Sequence, residues 1–278
     1  SGLLGGANVS NSSSMALLNS GTGTISYSSL RSRRAINYKP GQGNIARFTT
    51  VFDTPSTGTY QLAGVGTVED GYFVGYYAST EFGMLHRKRG QRQIKRLDIT
   101  TPSTTSESIT ITLDGANVTV PGITNSNNAI KNANEISFSG STNFFNAVHG
   151  WESYASGSSV FFICKRSIVG SGGFGITGST IRGTFTTIAN GRASEDTVIP
   201  QTSFNIDKLD GTGVSGITLN PTSGNVWQIS YQYLGFGNIS LSIENKEEGH
   251  FDPVHMIKWA NSNIVPNVAN PILPINFS

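Results

Sequence analysis

The acidic, glycine-rich stretch "FNIDKLDGTGVSG", residues 204–216, holds the side chains whose types and spacing could do chemistry. Asn205, Asp207 and Asp210 offer oxygen ligands for a metal, and the two aspartates could also form a catalytic pair. Calcium loops place oxygens at every second position and close with a bidentate Glu. Here the offsets are two and three, and no Glu ends the loop. The pattern therefore favours turn-forming aspartates, with a distorted calcium site as the alternative.

A glycosidase would need two acids close together across a cleft, on neighbouring strand positions. The candidates Asp98, Glu152 and Glu244 are scattered along the chain, and they share no strand-face motif. Polysaccharide hydrolysis is therefore the less favoured function, and we expect no catalytic residue and no enzymatic activity.

Metal and phosphate sites find no better support in the sequence. His86, His149, His250 and His255 have no ligand spacing, because five residues separate the last two and so place them on opposite faces of a strand. The glycine run at 169–178 lacks the Lys-Ser/Thr of a phosphate loop. Cys164, the only cysteine, lies in the apolar run "VFFICKR" and is predicted to be buried. We therefore expect no metal and no cofactor.

The net charge is only +2, but one stretch, "HRKRGQRQIKR" at 86–96, is strongly basic. No stacking aromatics are interleaved with these cations, so nucleic acid is an unlikely partner. We expect a solvated hairpin tip around Gly90 or a protein contact.

The elements that must position these residues are mainly strands. Only 13% of the 278 residues are charged, while Gly, Ser, Thr and Asn are abundant and 36% are hydrophobic. Asp70-Gly71 and Asp114-Gly115 predict hairpins, since Asp-Gly tolerates the positive φ of tight turns. At least ten strand signals at regular spacing predict an all-β fold, a jelly-roll or concanavalin-like β-sandwich over residues 31–278.

One short helix is expected near 127–136. Ala129, Ile130, Ala133 and Ile136 fall on one helical face, and Ser126 or Asn127 is available as N-cap.

Residues 1–30 have linker composition and are predicted to form a flexible N-terminal arm. We expect the arm to dock on a neighbouring subunit through apolar side chains, with a basic group at its base. These assembly residues are Leu3, Leu4, Leu17, Leu18, Arg31, Arg33 and Arg34. The chain begins at Ser1 rather than Met, so we expect a processed chain or a part of a longer polypeptide. It contains no apolar stretch of membrane-spanning length, and no membrane association is expected.

Three blocks of the sequence resemble a β-rich family of virion structural proteins that tailed bacteriophages and some large DNA viruses encode. "RSRRAINYKPGQGNIARFTTVF" is similar to the family's R-x-R-Y-x-P-G-Q-G block, and "DGYFVGYYASTEFGMLHRKRG" resembles its D-G-x-F-x-G-Y block. The third block, from Phe204 onward, resembles W-N-x-D-x-x-D-G-T-G-x-S-G followed by a Y-x-x-L-G-x-G strand. Asn205, Asp207, Asp210 and Gly211 match this motif, whereas Phe204 replaces its Trp.

The resemblance spans about residues 31–274 and implies a non-enzymatic virion component, in a capsid, collar or tail. Other virion proteins and copies of the same chain are then the expected partners. A glycan- or receptor-binding module of a fibre or spike is the alternative, in which Tyr76, Tyr77 or Trp151 could stack on sugars of a host-surface glycan.

Overall fold

The protein is described by a computed structural model that covers every residue except 1, 5, 22–25, 38, 40, 139–149, 166–169, 171 and 233–235. Its elements in chain order are β1 (Gly2–Leu4), β2 (Asn8–Ser12), β3 (Met15–Asn19), β4 (Tyr27–Arg31), β5 (Gly43–Thr50), β6 (Tyr60–Gly66), β7 (Gly71–Tyr77), β8 (Phe82–Lys88), β9 (Ile94–Thr101), β10 (Glu107–Leu113), β11 (Ala116–Ile123), α1 (Ala129–Phe138), β12 (Trp151–Ser156), β13 (Ser159–Cys164), β14 (Gly175–Thr177), β15 (Arg182–Ala189), β16 (Glu195–Pro200), a 3-10 turn (Gln201–Ser203), β17 (Asn225–Gln232), β18 (Ile239–Glu244), β19 (Phe251–Ile257) and β20 (Ile275–Phe277). The predicted all-β class with antiparallel sheets and one helix is confirmed.

The chain divides into two compact units. The first unit comprises Ser29–Arg89 and Glu195–Ser278, and the second comprises Gly2–Ser28 and Gly90–Ser194. The residues expected to form one sandwich, 31–278, are thus distributed over both units, and the expected arm groups with the second. Within the arm, β2 and β3 pair as an antiparallel hairpin.

The first unit is a two-sheet sandwich. One sheet contains the strand order β4-β20-β6-β7-β8-β16, and the other has the order β19-β18-β17-β5. Alternation along β17 directs Trp227, Ile229 and Tyr231 into the core between them, where they are almost fully buried. The Trp227 ring stacks on Phe82 with centroids 5.6 Å apart, and its indole N–H donates to Thr50 Oγ1 at 3.2 Å. The polar end of this large side chain is therefore satisfied inside the core.

The second unit packs the sheet β12-β13-β9-β15 and the sheet β11-β10-β14 around a separate core with α1. Ile109, Ile111 and Leu113 alternate inward on β10, as predicted. The chain then turns at Asp114 and Gly115, whose φ values of 52° and 80° are those of a tight hairpin turn. The hairpin predicted at this position is confirmed by the pairing of Leu113 with Ala116.

The helix lies two residues later than expected, and its N-cap is different. Asn128, not Ser126 or Asn127, accepts the N–H of Lys131 through Oδ1 at 3.1 Å. Ala133 and Ile136 are fully buried as predicted, but Ile130 is 54% exposed. The buried position is taken instead by Asn132, whose Oδ1 accepts the Ser103 N–H at 2.8 Å. A buried amide is tolerated here because its polar atoms find partners.

The chain passes from the first unit to the second after β8 and returns at β16, and these two strands pair with each other. Lys88 lies opposite Glu195 across an antiparallel ladder, although 106 residues separate them in sequence. The hairpin tip predicted around Gly90 is therefore wrong: β8 pairs with β7 and β16, while β9 pairs with β13 and β15. The predicted Asp70-Gly71 hairpin does form, between β6 and β7.

Ion pairs reinforce the junction of β8 and β16. Arg87 binds both carboxylate oxygens of Asp196, at 3.0 and 2.7 Å, and the Tyr77 hydroxyl donates to the same group at 2.6 Å. Burial, together with this hydrogen bond to Asp196, raises the pKa of Tyr77 to about 12. Lys88 and Arg89 pair with the more exposed Glu195, at 3.1 and 3.2 Å.

We expect Asp196→Asn to lower the free energy of unfolding by about 1–3 kcal/mol, because it leaves the half-buried Arg87 guanidinium without its bidentate acceptor. The matched control is Glu195→Gln on the same strand, which should change stability little, since that carboxylate is largely in water. Urea denaturation of both variants and the parent measures the difference. Equal shifts for the two variants would show that the Asp196 network does not hold the junction.

Candidate functional site

Asp207 is buried at 3% exposure, and two backbone N–H groups satisfy its carboxylate. Oδ1 accepts from Leu209 at 2.8 Å, and Oδ2 accepts from Ser215, eight residues along the chain, also at 2.8 Å. The loop wraps tightly around this carboxylate: a Cβ at Gly213 would lie 2.1 Å from Asp207 Oδ1. The prediction that Asp207 accepts backbone N–H groups is confirmed.

Asp210 has the same chemistry but faces solvent. Its Oδ1 accepts the backbone N–H of Thr212 at 2.9 Å and the hydroxyl of that residue at 2.6 Å. Between the two aspartates, Leu209 adopts a positive φ of 56° and is inserted into the core of the first unit. The acidic motif is thus a pair of turns that projects an apolar side chain into the core.

The pKa of both aspartates is lowered. Burial on its own would raise the pKa of Asp207, but the hydrogen bonds from Ser215 and Leu209 favour the charged form more strongly. For Asp210 the hydrogen bonds from Thr212 are the main cause. Within the described ranges, the structure contains no cluster of three His, Cys, Asp or Glu side chains that could hold a metal.

The start of the motif covers one edge of a sheet. Asn205 binds the backbone of Met256 in β19 twice: its Nδ2 donates to the carbonyl at 2.8 Å, and its Oδ1 accepts the N–H at 2.9 Å. The N–H groups of Ile206 and Asp207 both donate to the Val254 carbonyl. The 204–207 segment therefore caps β19, which would otherwise be an open edge strand.

A second carboxylate, Glu107, organises a loop of the second unit and was not recognised from the sequence. It accepts hydrogen bonds from the Ser103 hydroxyl at 2.6 Å, the Thr180 hydroxyl at 2.7 Å, and the backbone N–H groups of Ser179, Thr180 and Ile181. Burial by itself raises the pKa of Glu107, but these donors together lower the pKa to about 2. With its acceptor capacity filled, Glu107 stays ionised and serves as an anchor.

The three acids considered for a hydrolase do not form a catalytic pair. Asp98 and Glu152 lie on the same face of one sheet, but two strands and four residues apart in register, which is about 16 Å by strand geometry. Glycosidase carboxylates lie about 5–9.5 Å apart. Asp98 also accepts from Ser159 Oγ at 2.5 Å and from Arg96 at 3.0 Å, and Glu244 belongs to the other unit.

The three described histidines have different surroundings. His86 is buried and its Nε2 lies 2.6 Å from the Asn267 carbonyl, while His255 is buried on β19. Burial lowers the pKa of both rings. His250 contacts Asp252 and Glu248 at the surface, and His149 lies outside the described residues. Cys164 is buried, as predicted.

Most of the basic stretch is engaged within the protein. Arg87, Lys88 and Arg89 pair with β16, and Arg96 pairs with Asp98 at 3.0 Å. Lys95 donates to Thr187 Oγ1 at 2.6 Å, and its ammonium lies 4.3 Å from the centroid of the Phe174 ring. These cations hold strands together and are not displayed as one patch.

The predicted assembly residues fall into two groups. Leu17 is 51% exposed on β3, Leu18 is half-buried beside it, and the side chains of Leu3 and Leu4 lie outside the described residues. Arg31, Arg33 and Arg34 are exposed at and after the end of β4. Arg31 and Arg33 line a surface depression of about 470 Å³ with Thr67 and Pro274.

The aromatics suggested for sugar stacking are mostly internal. Trp151 and Tyr76 are 3% and 6% exposed, and the Tyr77 hydroxyl is bound to Asp196. Tyr154, which was not recognised from the sequence, is 49% exposed and stacks on Phe161 with centroids 5.0 Å apart and planes 4° from parallel. The alternation of side chains along β12 could have identified it. Because Trp151 points inward, Tyr154, three residues later, must point outward.

No family model, curated protein or solved structure matches this chain. The resemblance to virion structural proteins therefore stays a prediction. Among the helical residues that the structure describes, none form a helix long and apolar enough to cross a bilayer.

We expect Asp207→Asn to lower the free energy of unfolding by about 1–3 kcal/mol, because the amide NH₂ would face the N–H of Leu209 or Ser215 and leave that donor unpaired. Asp210→Asn is the control and should be nearly silent, since exposed Asn forms the same turn. The melting temperatures of the parent and of both variants are measured with and without EDTA, and again after calcium is added. A melting temperature that falls in EDTA and recovers with calcium would contradict the turn assignment.

Glu107 predicts an acid-sensitive second unit. Its pKa in the folded protein is depressed from 4.5 to about 2, so its stabilising contribution is full above about pH 4.5 and is lost as the pH falls toward 2. In Glu107→Gln this part of the pH dependence should disappear, and the melting temperature should be lower at pH 6 than in the parent. Melting curves at intervals from pH 6 to pH 2 test this. Parallel profiles for parent and variant would refute it.

Proposed function

We propose that this protein is a non-enzymatic virion structural component that acts by protein–protein assembly, with other virion proteins and with copies of itself. The sequence resemblance gives the class, and capsid, collar and tail positions are all compatible with it. The observation that carries the assembly mechanism is an open strand edge, β5, in the first unit.

β5 is the outermost strand of its sheet. Its eight residues pair with β17 on one side over the full length. On the other side, no hydrogen bond to another backbone segment is found among the residues that the structure describes. An edge of this kind presents a row of unpaired N–H and C=O groups that a further strand can join. The opposite edge strand, β19, is covered by residues 204–207. One edge of this sheet is therefore covered, while the edge at β5 is open.

An apolar depression of about 450 Å³ lies directly beside β5. Its walls come from β5 itself, from the end of β4 and from β20, and the lining residues are Leu30, Arg31, Ser32, Arg47, Phe48, Thr49, Ile275 and Phe277. A strand added to β5 would direct alternate side chains toward this depression.

The chemistry of the depression defines the segment that fits it. Phe48 and Phe277, in edge-to-face contact at 6.1 Å, offer an apolar surface. Arg31 also lines the depression and favours a carboxylate, whereas the Arg47 guanidinium donates to Gln228 and packs over the Phe251 ring. We therefore expect the partner to be an extended segment of a neighbouring subunit that carries one apolar side chain and an adjacent acidic residue. Arg31 was also among the assembly residues expected from the sequence.

Charges placed on β5 should block this assembly. Ile45 is 61% exposed and Thr49 is exposed, so the double variant Ile45→Lys, Thr49→Lys should fold normally but resist strand addition, as charged edge strands do. A tagged copy produced during infection should be excluded from purified particles, as measured by mass spectrometry.

Thr119→Lys provides the matched control, because Thr119 is exposed on β11, an edge strand of the other unit. This variant should enter particles like the parent. If the β5 variant also enters particles at the parental level, the edge is not the assembly element. If the parent itself is missing from particles, the virion function is wrong.

A further inference from the structure

The outer face of the sheet β12-β13-β9-β15 carries chemistry that assembly through β5 does not use. The inner face of this sheet is buried through Trp151, Val160, Phe162 and Leu97. Helix α1 joins the same core through Ala133 and Ile136. The residues that alternate with these buried residues along each strand point away from that core. They include two aromatic rings, an ion pair and several hydroxyls.

The two rings form a stacked pair, in which Phe161 covers one face of the half-exposed Tyr154 ring. Tyr154 and Phe161 lie opposite each other on β12 and β13 and stack almost in parallel, 5.0 Å apart. Arg96 is the next residue across, on β9, and Thr186 follows on β15. With about 4.8 Å between strands, this row places two rings, a guanidinium and a hydroxyl side by side over about 14 Å.

The neighbouring row is polar. Ser159 lies opposite Asp98, and Thr184 lies beyond it on β15. Asp98 joins the two rows, because Oδ1 accepts from Ser159 at 2.5 Å and Oδ2 accepts from Arg96 at 3.0 Å. These groups are fixed by one another, yet the Arg96 and Asp98 side chains remain 37% and 31% exposed. The face therefore holds oriented donors and acceptors in the row of side chains next to the rings, two residues along each strand.

We propose that this face binds a neutral hexopyranose oligosaccharide. Each sugar ring has an apolar side of C–H groups, which suits the negative face of an aromatic ring, and an equatorial belt of hydroxyls, which suits the Arg96–Asp98 pair and the Ser and Thr hydroxyls. The combination of a stacked ring pair with fixed polar neighbours carries the proposal.

The charges on this face select against other ligands. Arg96 is already neutralised by Asp98, and Glu152 on the same face adds a negative charge. Phosphate backbones and acidic sugars would therefore be repelled. An apolar protein surface would bury the Arg96–Asp98 pair and the hydroxyls without replacing their water, which is costly. A neutral polyhydroxylated ligand is not repelled by the negative charge, and its hydroxyls can replace the water around the Arg96–Asp98 pair.

The test uses the full chain and three probes: maltohexaose, cellohexaose and mannohexaose. An array of neutral hexose oligosaccharides widens the screen, and isothermal titration calorimetry measures affinity. The parent should bind at least one probe. Tyr154→Ala should weaken that binding by about tenfold or more, the value of one aromatic contact, whereas Tyr154→Phe should retain it.

Tyr60→Ala is the matched control, because Tyr60 is 54% exposed in the other unit and packs edge-to-face on Tyr77. It should bind like the parent, and melting curves should show that all variants are folded. The proposal is overturned if the parent binds none of these oligosaccharides, or if Tyr154→Ala binds as well as the parent. It is also overturned if Tyr154→Ala changes the oligomeric mass by light scattering, since the face would then be a protein contact. None of these results depends on particle incorporation, so this inference and the assembly function fail separately.

Discussion

Buried and partly buried carboxylates that accept backbone N–H groups are the interaction on which the loops of this protein depend. A β-protein must satisfy each buried N–H outside its ladders, and an unpaired one costs about 1–3 kcal/mol. Asp207 satisfies the N–H groups of Leu209 and Ser215. The buried Asp70 does the same for Arg89, at the end of β8, and for Ala269, ahead of β20. Glu107 gathers the N–H groups of residues 179–181. In a chain with few charged residues, Asp70 and Glu107 connect segments that are distant in sequence, whereas Asp207 closes its own loop.

The same requirement for backbone partners distinguishes the strand edges of the first unit. At β19, Asn205 imitates a neighbouring strand with its side-chain amide, and the N–H groups of Ile206 and Asp207 complete the cover. At β5 the described residues supply no equivalent cover, and an apolar depression that Arg31 helps to line lies beside the strand. Proteins usually protect such edges, because an open edge invites pairing with another chain. This contrast within one sheet is why β5 is the element that we assign to assembly.

We propose a different function for each of the two units. Assembly is assigned to the first unit, whose β5 edge and depression suit an extended protein segment. Ligand recognition is assigned to the second unit, whose outer face displays Tyr154 and Phe161 beside a fixed ion pair. The second unit leaves and re-enters the first between paired strands, β8 and β16, where ion pairs from Arg87, Lys88 and Arg89 reinforce the ladder.

The sequence by itself determined the local features. Alternation identified the strands, the Asp114-Gly115 dipeptide identified a tight turn, and the spacing in the acidic motif identified Asp207 and Asp210 as turn formers, because each of these depends on neighbours within a few residues. Only the tertiary structure decided which strands pair. The ladder between Lys88 and Glu195 joins strands on either side of residues 90–194, and no local pattern around Gly90 distinguishes such an exit point from a hairpin tip. It likewise decided that Ile130 faces solvent while Asn132 is buried, since the Asn132 side chain finds a partner in Ser103, 29 residues away in sequence. The neighbourhood of Tyr154, Phe161 and Arg96 also arises from pairing between three strands, and pairing of that kind is a property of the folded chain.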